Sequence, residues 1–346
     1  MPRVHRVQCT DPGFTRRRRG SGFSYLDARG RVIREPETLR RIRSLAIPPA
    51  WTDVWICPDP WGHLQAAGTD AAGRRQYLYH QRWREWRDRQ KFRRMHAFAS
   101  VLPQLRETVA ADLALTGLPR ERVLACAVRL LDRGYFRIGS EEYTDQNGSY
   151  GLATLRKEHV RIEGEHVWFD YLAKGGKRRV VSVRDPAVKD VIRPLKARRG
   201  GGGELLAYED GDGWRDVRSS DVNQYIKEVA GDRFSAKDFR TWHATVLAAM
   251  ALATRTDASS LTARKRALSG AVKEVAGYLG NTPTVARSSY IDPRVLDRFL
   301  EGTTIAGVLA AAPVDDDPFD PDAQAQLEAA VIDLIEGGPG EDAVAA

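Results

Sequence analysis

The feature that most constrains this chain is a change of texture near residue 80. Residues 20–80 are broken by Gly20, Gly22, Gly30, Pro48, Pro49, Pro58, Pro60, Gly62, Gly68 and Gly73 into short runs such as Val54-Trp55-Ile56 and Tyr77-Leu78-Tyr79. That is the punctuation of a small β-rich domain, with room for one helix near 35–45. Residues 81–94 then hold neither Gly nor Pro and many helix formers. The expected organisation is therefore a β-rich N-terminal domain over 1–90 and a larger, mainly α domain over 91–312, an α+β chain.

Residues 104–139 and 221–300 carry helical periodicity with caps. In the second block Leu268, Val272, Val275, Ala276 and Leu279 share one face of a helix that ends at Gly280. Between the blocks, residues 159–183 alternate as a hairpin around Gly164 and Lys174-Gly175-Gly176-Lys177, a ribbon able to enter a nucleic-acid groove. The run Gly200 to Gly203 lacks the Gly-Lys-Ser/Thr of a phosphate-binding loop. Residues 82–94 read as a solvated helix with Trp83 and Trp86 placed for packing, or equally as a helix that contacts nucleic acid.

Charge narrows the function. Of 346 residues, 54 are Lys or Arg and 46 are Asp or Glu, but eleven of the acids lie after residue 298, where there is no Lys or Arg. The preceding chain keeps all 54 basic and 35 acidic residues, a balance of +19. A body this basic expects a polyanion. The acidic segment 313–346 reads as a mobile tail with a short helix over 323–335. A membrane span is not expected, since the longest apolar run, 244–253, is half of the roughly 20 residues required. The arginine-rich N-terminus has no apolar stretch after it and reads as no secretory signal. Cys9, Cys57 and Cys126 are too few and too far apart for a disulfide framework or a zinc site, which fits a reducing cytosol.

No His, Cys or carboxylate cluster has metal-ligand spacing; the seven histidines, at 5, 63, 80, 96, 159, 166 and 243, are scattered. Phosphoryl transfer without a metal needs side-chain cations for the trigonal-bipyramidal transition state and a side-chain nucleophile. Two arginines, a lysine and a tyrosine suffice.

Four segments supply such groups in order: Gly134-Tyr135-Phe136-Arg137-Ile138-Gly139, Lys174-Gly175-Gly176-Lys177, Lys237-Asp238-Phe239-Arg240-Thr241-Trp242, and Gly280-Asn281-Thr282-Pro283 followed by Ser288-Ser289-Tyr290. The chain resembles the type IB DNA topoisomerases, in their poxvirus-like bacterial form. The likeness extends to Gly73-Arg74-Arg75-Gln76-Tyr77-Leu78-Tyr79, which is similar to the family's DNA-contacting segment, and covers roughly residues 20–300.

The resemblance implies a small β-rich domain and a helical catalytic domain of the tyrosine recombinase and type IB topoisomerase kind, closing as a clamp on duplex DNA. It makes Tyr290 the nucleophile that forms a 3′-phosphotyrosyl bond. Arg137 and Arg240 would hold the non-bridging oxygens, for which guanidinium geometry is suited. Lys174 would protonate the 5′-oxygen leaving group, a task that cationic neighbours favour in a lysine. Lys237 would support the phosphate or the proton path. Arg74, Arg75, Gln76, Tyr77, Tyr79 and Tyr143 would contact DNA. The expected enzyme relaxes supercoils of both signs as a monomer, with neither cofactor, ATP nor metal, in the cytoplasm and on the nucleoid.

One departure is Asn281, where relatives usually place a histidine nine residues before the tyrosine; an amide still donates a hydrogen bond but carries no charge. Ser140 and Glu142 stand where poxvirus enzymes carry lysines, so strict recognition of the viral cleavage sequence is not expected. Two other readings compete. A site-specific tyrosine recombinase uses similar groups but usually has a histidine where Lys237 stands and a helical N-terminal domain. A silent DNA-binding protein would have no use for Tyr290, Lys174 and both arginines.

Overall fold

The computed structural model describes residues 3–255, 258, 260–311 and 321–337, except the side chains of residues 143, 146, 321 and 322. The chain divides into two compact units, Met1–Arg93 and Arg94–Ala346.

The first unit is built on β1 (Phe14–Arg19), β2 (Gly22–Leu26), helix α1 (Pro36–Ser44), β3 (Thr52–Ile56), β4 (Leu64–Thr69) and β5 (Arg75–Tyr79). The strands form one antiparallel sheet in the order β2-β1-β3-β4-β5, which leaves β5 at an edge. Pro36 opens α1, where its missing N–H costs nothing, and Ile42 on the inner face packs with Val54, Ile56 and Ala66. Leu78 of β5 packs onto the same cluster.

Helix α2 (Gln81–Leu113) carries the chain from the first unit into the second. There follow α3 (Arg120–Gly134), α4 (Glu141–Asn147), β6 (Val160–Glu163), β7 (His166–Ala173), β8 (Lys177–Arg184), α5 (Pro186–Ala197), β9 (Ala207–Asp210), β10 (Gly213–Asp216), α6 (Ser219–Ala230), α7 (Ala236–Ala253), α8 (Leu261–Leu279), α9 (Pro283–Ser289), α10 (Pro293–Glu301), α11 (Ala306–Ala311) and α12 (Pro321–Glu336). The expected hairpin is a three-stranded antiparallel sheet, β6-β7-β8. Helix α7, buried almost throughout, is the apolar run seen in the sequence. No helix among the described residues is long and apolar enough to cross a membrane.

Of the acidic C-terminal segment only residues 321–337 are described, and the short helix expected there is present; residues 313–320 and 338–346 lie outside the described residues. Its described part is α12, which packs against α7, α10 and α11. Val331, Leu334 and Ile335 recur at helical spacing and are buried. Glu328 on the same face is buried too, and both of its oxygens accept hydrogen bonds from Arg106 at 2.8 Å. An apolar stripe with one paired carboxylate docks a helix even where all its charges have one sign.

Candidate active site

Arg137 owes its position to the way α3 ends. Tyr135, the C-cap, is left-handed at φ 52°, and Phe136 turns inward to pack edge-on against Phe169 at 4.9 Å between ring centroids. The carbonyls of Arg137 and Ile138 then accept the main-chain N–H groups of Leu152 and Ala153, each at 2.8 Å. Gly139, at φ +80°, crosses Gly151 so closely that a β-carbon there would lie 2.8 Å from the Gly151 Cα. The Phe-Arg-Ile-Gly sequence is thus a backbone crossing that holds one arginine side chain outward.

A second helix end completes the site. Helix α8 stops at Gly280, left-handed at φ +61°, and the N–H of Asn281 turns back to the Ala276 carbonyl at 2.9 Å. The last carbonyls of α8 therefore face outward, at the negative end of the helix dipole. Arg240 Nη2 donates to Leu279 O at 2.9 Å, and Arg137 Nη2 donates to Gly280 O at 3.2 Å. Arg240 Nη1 reaches the end of α3 as well, donating to Tyr135 O at 2.7 Å. A third guanidinium, Arg179 of β8, donates through Nη2 to Gly134 O at 3.3 Å and Tyr135 O at 3.2 Å.

Three guanidiniums thus stand together, bonded to main-chain carbonyls and, among the described residues, to no carboxylate. Burial, with Arg137 and Arg179 nearby, pushes Arg240 down to about 10, while Tyr290 works in the other direction. Burial lowers Arg179 as well, and Arg137 adds to it. Arg137 also donates to the side-chain oxygen of Asn281. Because a guanidinium only donates, this contact fixes the amide with Nδ2 turned away from Arg137. Asn281 Nδ2, Arg179 Nε and Arg240 Nε are buried donors without a partner among the described residues. Positive charge and unused donors in one place are what an anion would satisfy.

Tyr290 follows α9. Thr282 Oγ1 caps that helix on Val285 N at 3.3 Å, and the Tyr290 N–H closes it on Ala286 O at 3.0 Å. The Tyr290 ring is half-buried, with the Arg240 guanidinium carbon 5.3 Å from its centroid. The structure so brings Arg137, Arg240, Asn281 and Tyr290 together. Lys174 is exposed in the turn between β7 and β8, and Lys237 is exposed in the first turn of α7. The side chain of Tyr143, on α4, lies outside the described residues.

In the first unit, strand alternation divides the remaining candidates. Arg75, Tyr77 and Tyr79 share the exposed face of β5, the two tyrosine rings 6.2 Å apart. Gln76 falls on the other face with Leu78, half-buried, and donates to Asp70 at 2.9 Å. Arg74, beside it in the turn before β5, is bonded to the same carboxylate. These bonds, the Arg74 main-chain N–H foremost, hold Asp70 down to about 2. A role for Gln76 in reading a base edge would thus start from a side chain with one N–H already committed to Asp70.

The sequence profile of the eukaryotic DNA topoisomerase I catalytic core matches residues 80–301, and that of the bacterial DNA topoisomerase IB N-terminal domain matches residues 22–70. The chain is 32% identical over 287 residues to DNA topoisomerase 1B of Acanthamoeba polyphaga mimivirus, covering 81% of this chain and 85% of the viral one. It belongs to the type IB DNA topoisomerases. To DNA topoisomerase 1B of vaccinia virus (strain Western Reserve) it is 21% identical over 262 residues, 74% of this chain and 80% of that one. A solved XerH recombinase complex aligns over 57% of this chain and 51% of its own at 14% identity and a TM-score of 0.36, too loose a likeness to argue from.

Two features of this topoisomerase were not foreseen in its sequence. Arg179 is one. Its signal was parity: it shares the inward face of β8 with Val181 and Val183, where an arginine needs a partner. The other is a buried network behind the site. Asp132 accepts from Arg106 Nε at 2.8 Å and from His243 Nε2 at 3.0 Å, and the His243 ring meets Tyr135 edge-on at 5.2 Å. Burial alone would raise the Asp132 carboxyl, but Arg106 and His243 hold it well below its ordinary range.

Proposed function

We propose that this topoisomerase relaxes positive and negative supercoils by transient cleavage of one strand, with Tyr290 as nucleophile. Tyr290 Oη attacks the phosphorus, a new P–O bond forms to the 3′ fragment, and the P–O5′ bond breaks. The phenolic proton passes to solvent water, and Lys174 supplies the proton that the 5′-oxygen takes up. The duplex swivels, the 5′-OH attacks the phosphotyrosine, and both proton transfers reverse. The broken bond's energy is kept in the phosphotyrosyl linkage, so the reading requires neither ATP nor a metal, and the enzyme acts as a monomer on duplex DNA.

The observation that carries this reading is the carbonyl-held guanidinium cluster beside Tyr290. No carboxylate among the described residues offsets the charge of Arg137 or Arg240, and the burial of Arg240 strengthens its pull on charge developing at phosphorus. The unpartnered Asn281 Nδ2 fits a donor to a phosphoryl oxygen, the task a histidine performs in relatives.

The test is incubation of supercoiled plasmid with the protein in EDTA without ATP, quenched with detergent at intervals. Wild type is expected to give a ladder of topoisomers and a covalent protein–DNA adduct, and Tyr290→Phe neither, while still binding DNA. Relaxation by the Phe variant at the wild-type rate would remove Tyr290 from the mechanism.

A further inference from the structure

We infer that Arg179 is a positioning residue for proton delivery: it roots the hairpin that carries Lys174 onto the main-chain corner that also holds Arg240. The inference rests on the functional reading above, in which Lys174 protonates the leaving oxygen.

Lys174 occupies the exposed turn of the β7–β8 hairpin, flanked by Leu172, Lys177, Arg178 and Val180, all exposed. A lysine at such a tip reaches a phosphate held by Arg137 and Arg240 only if the hairpin is fixed relative to them. Below the tip, Tyr171 pairs in register with Arg179, and the Arg179 side chain leaves the sheet to bond Gly134 O and Tyr135 O. Tyr135 O is the carbonyl that Arg240 Nη1 also uses. One left-handed residue therefore ties the general-acid hairpin and the phosphate clamp to a common point. The opposite strand is tied by packing and by main chain instead: Phe169 and Tyr171 lie against Phe136, and Tyr150 N donates to Leu172 O at 2.7 Å.

The bonds Arg179 makes fit this role, while its Nε has no partner among the described residues. Nη2 is spent on the two carbonyls, and Nη1 lies beside Gly280, 3.2 Å from where a β-carbon would stand. Arg137 Nη1 is 3.7 Å from the same point, so Gly280 separates the two cations by a single missing methyl. Arg179 Nη2 is thus directed at the α3 end.

The experiment uses the full chain and a duplex oligonucleotide carrying a cleavage site mapped with wild type on plasmid DNA, made with either the ordinary 5′-oxygen or a bridging 5′-sulfur at the scissile bond. A thiolate leaves without being protonated, so the sulfur substrate bypasses the general acid. Arg179→Ala is expected to slow adduct formation on the oxygen substrate by about tenfold or more and to run within about threefold of wild type on sulfur, with DNA affinity unchanged. Lys174→Ala should show the same pattern more strongly, and Arg179→Lys should recover part of the rate. Arg179→Gln, which keeps an amide donor, gives the same reading if the alanine variant does not fold. Equal slowing on both substrates, or no slowing on either, overturns the assignment. If instead Lys174→Ala itself is not rescued by sulfur, the reading of Lys174 fails and takes this inference with it.

Discussion

The guanidinium cluster and the exposed face of β5 both present positive charge and aromatic rings, and they are built in opposite ways. In the cluster, Arg137, Arg179 and Arg240 are bonded to carbonyls at the ends of α3 and α8, Arg240 buried and the other two half-buried. On β5, Tyr77 and Tyr79 stand 45% and 41% exposed, and Arg75 spends one donor on the Asp53 carbonyl at the surface. A cation fixed in a low-dielectric setting before substrate arrives costs no reorganisation when charge develops, so it acts on rate. An exposed cation is screened by salt and acts on affinity. The two regions should therefore separate cleanly in kinetics.

The largest break of that pattern is at Arg240. Arg240→Ala is expected to lower single-turnover adduct formation by about 10²–10³, the cost of removing one preorganised donor from a developing oxyanion, with DNA affinity changed by less than about threefold. Arg240→Lys should restore little, because a single ammonium nitrogen replaces the two guanidinium nitrogens that separately reach Tyr135 O and Leu279 O. A rate loss matched by an equal loss of affinity would put Arg240 in ground-state binding and erase the contrast with β5.

How far the sequence showed this arrangement depends on what each residue needs. The order of motifs around Arg137, Arg240 and Tyr290 was legible through the resemblance to the type IB topoisomerases; of their local settings, the glycine end of α8 was read from the residues themselves. The β-rich first unit was legible from turn residues alone. Arg179 was not, since its role depends on strand parity and on carbonyls some 45 residues away in sequence. Nor was the docking of α12, because a negative segment looks solvated until Arg106 is brought to Glu328 across 222 residues. Gln76 shows the same limit on β5: a candidate list by proximity in sequence ignores that alternate side chains leave a strand on opposite faces.

A smaller effect is expected behind the cluster. Asp132→Asn should cost about 2–3 kcal/mol of stability at neutral pH by leaving Arg106 and His243 short of a charged acceptor. The Asp132 carboxyl is depressed in the folded state, so its contribution is fully present above the unfolded value of 3.8 and is lost as pH falls below it. The gap between wild type and variant, measured by denaturant melts, should therefore shrink from pH 7 to pH 3. A gap that widens on acidification would mean that the carboxyl is not held ionised by its partners.

The smallest effect belongs to β5 and tests the comparison from its other side. Arg75→Ala should weaken binding to duplex DNA by only a fewfold and reduce the slope of log K against log salt by about one, because a surface guanidinium releases roughly one counterion when it meets a phosphate. Tyr79→Ala should weaken binding to a similar degree and leave that slope unchanged, since a ring carries no charge to neutralise. Neither change should alter the rate of adduct formation once DNA is saturating. The alternation of β5 adds an internal control: Gln76→Ala removes a side chain already bonded to Asp70 on the other face, and its effect on affinity should be smaller than that of either neighbour on the exposed face. If Gln76→Ala instead weakens binding more than Tyr77→Ala or Arg75→Ala, the amide leaves Asp70 when DNA arrives, and the face of β5 that reads DNA is not the one exposed in its absence.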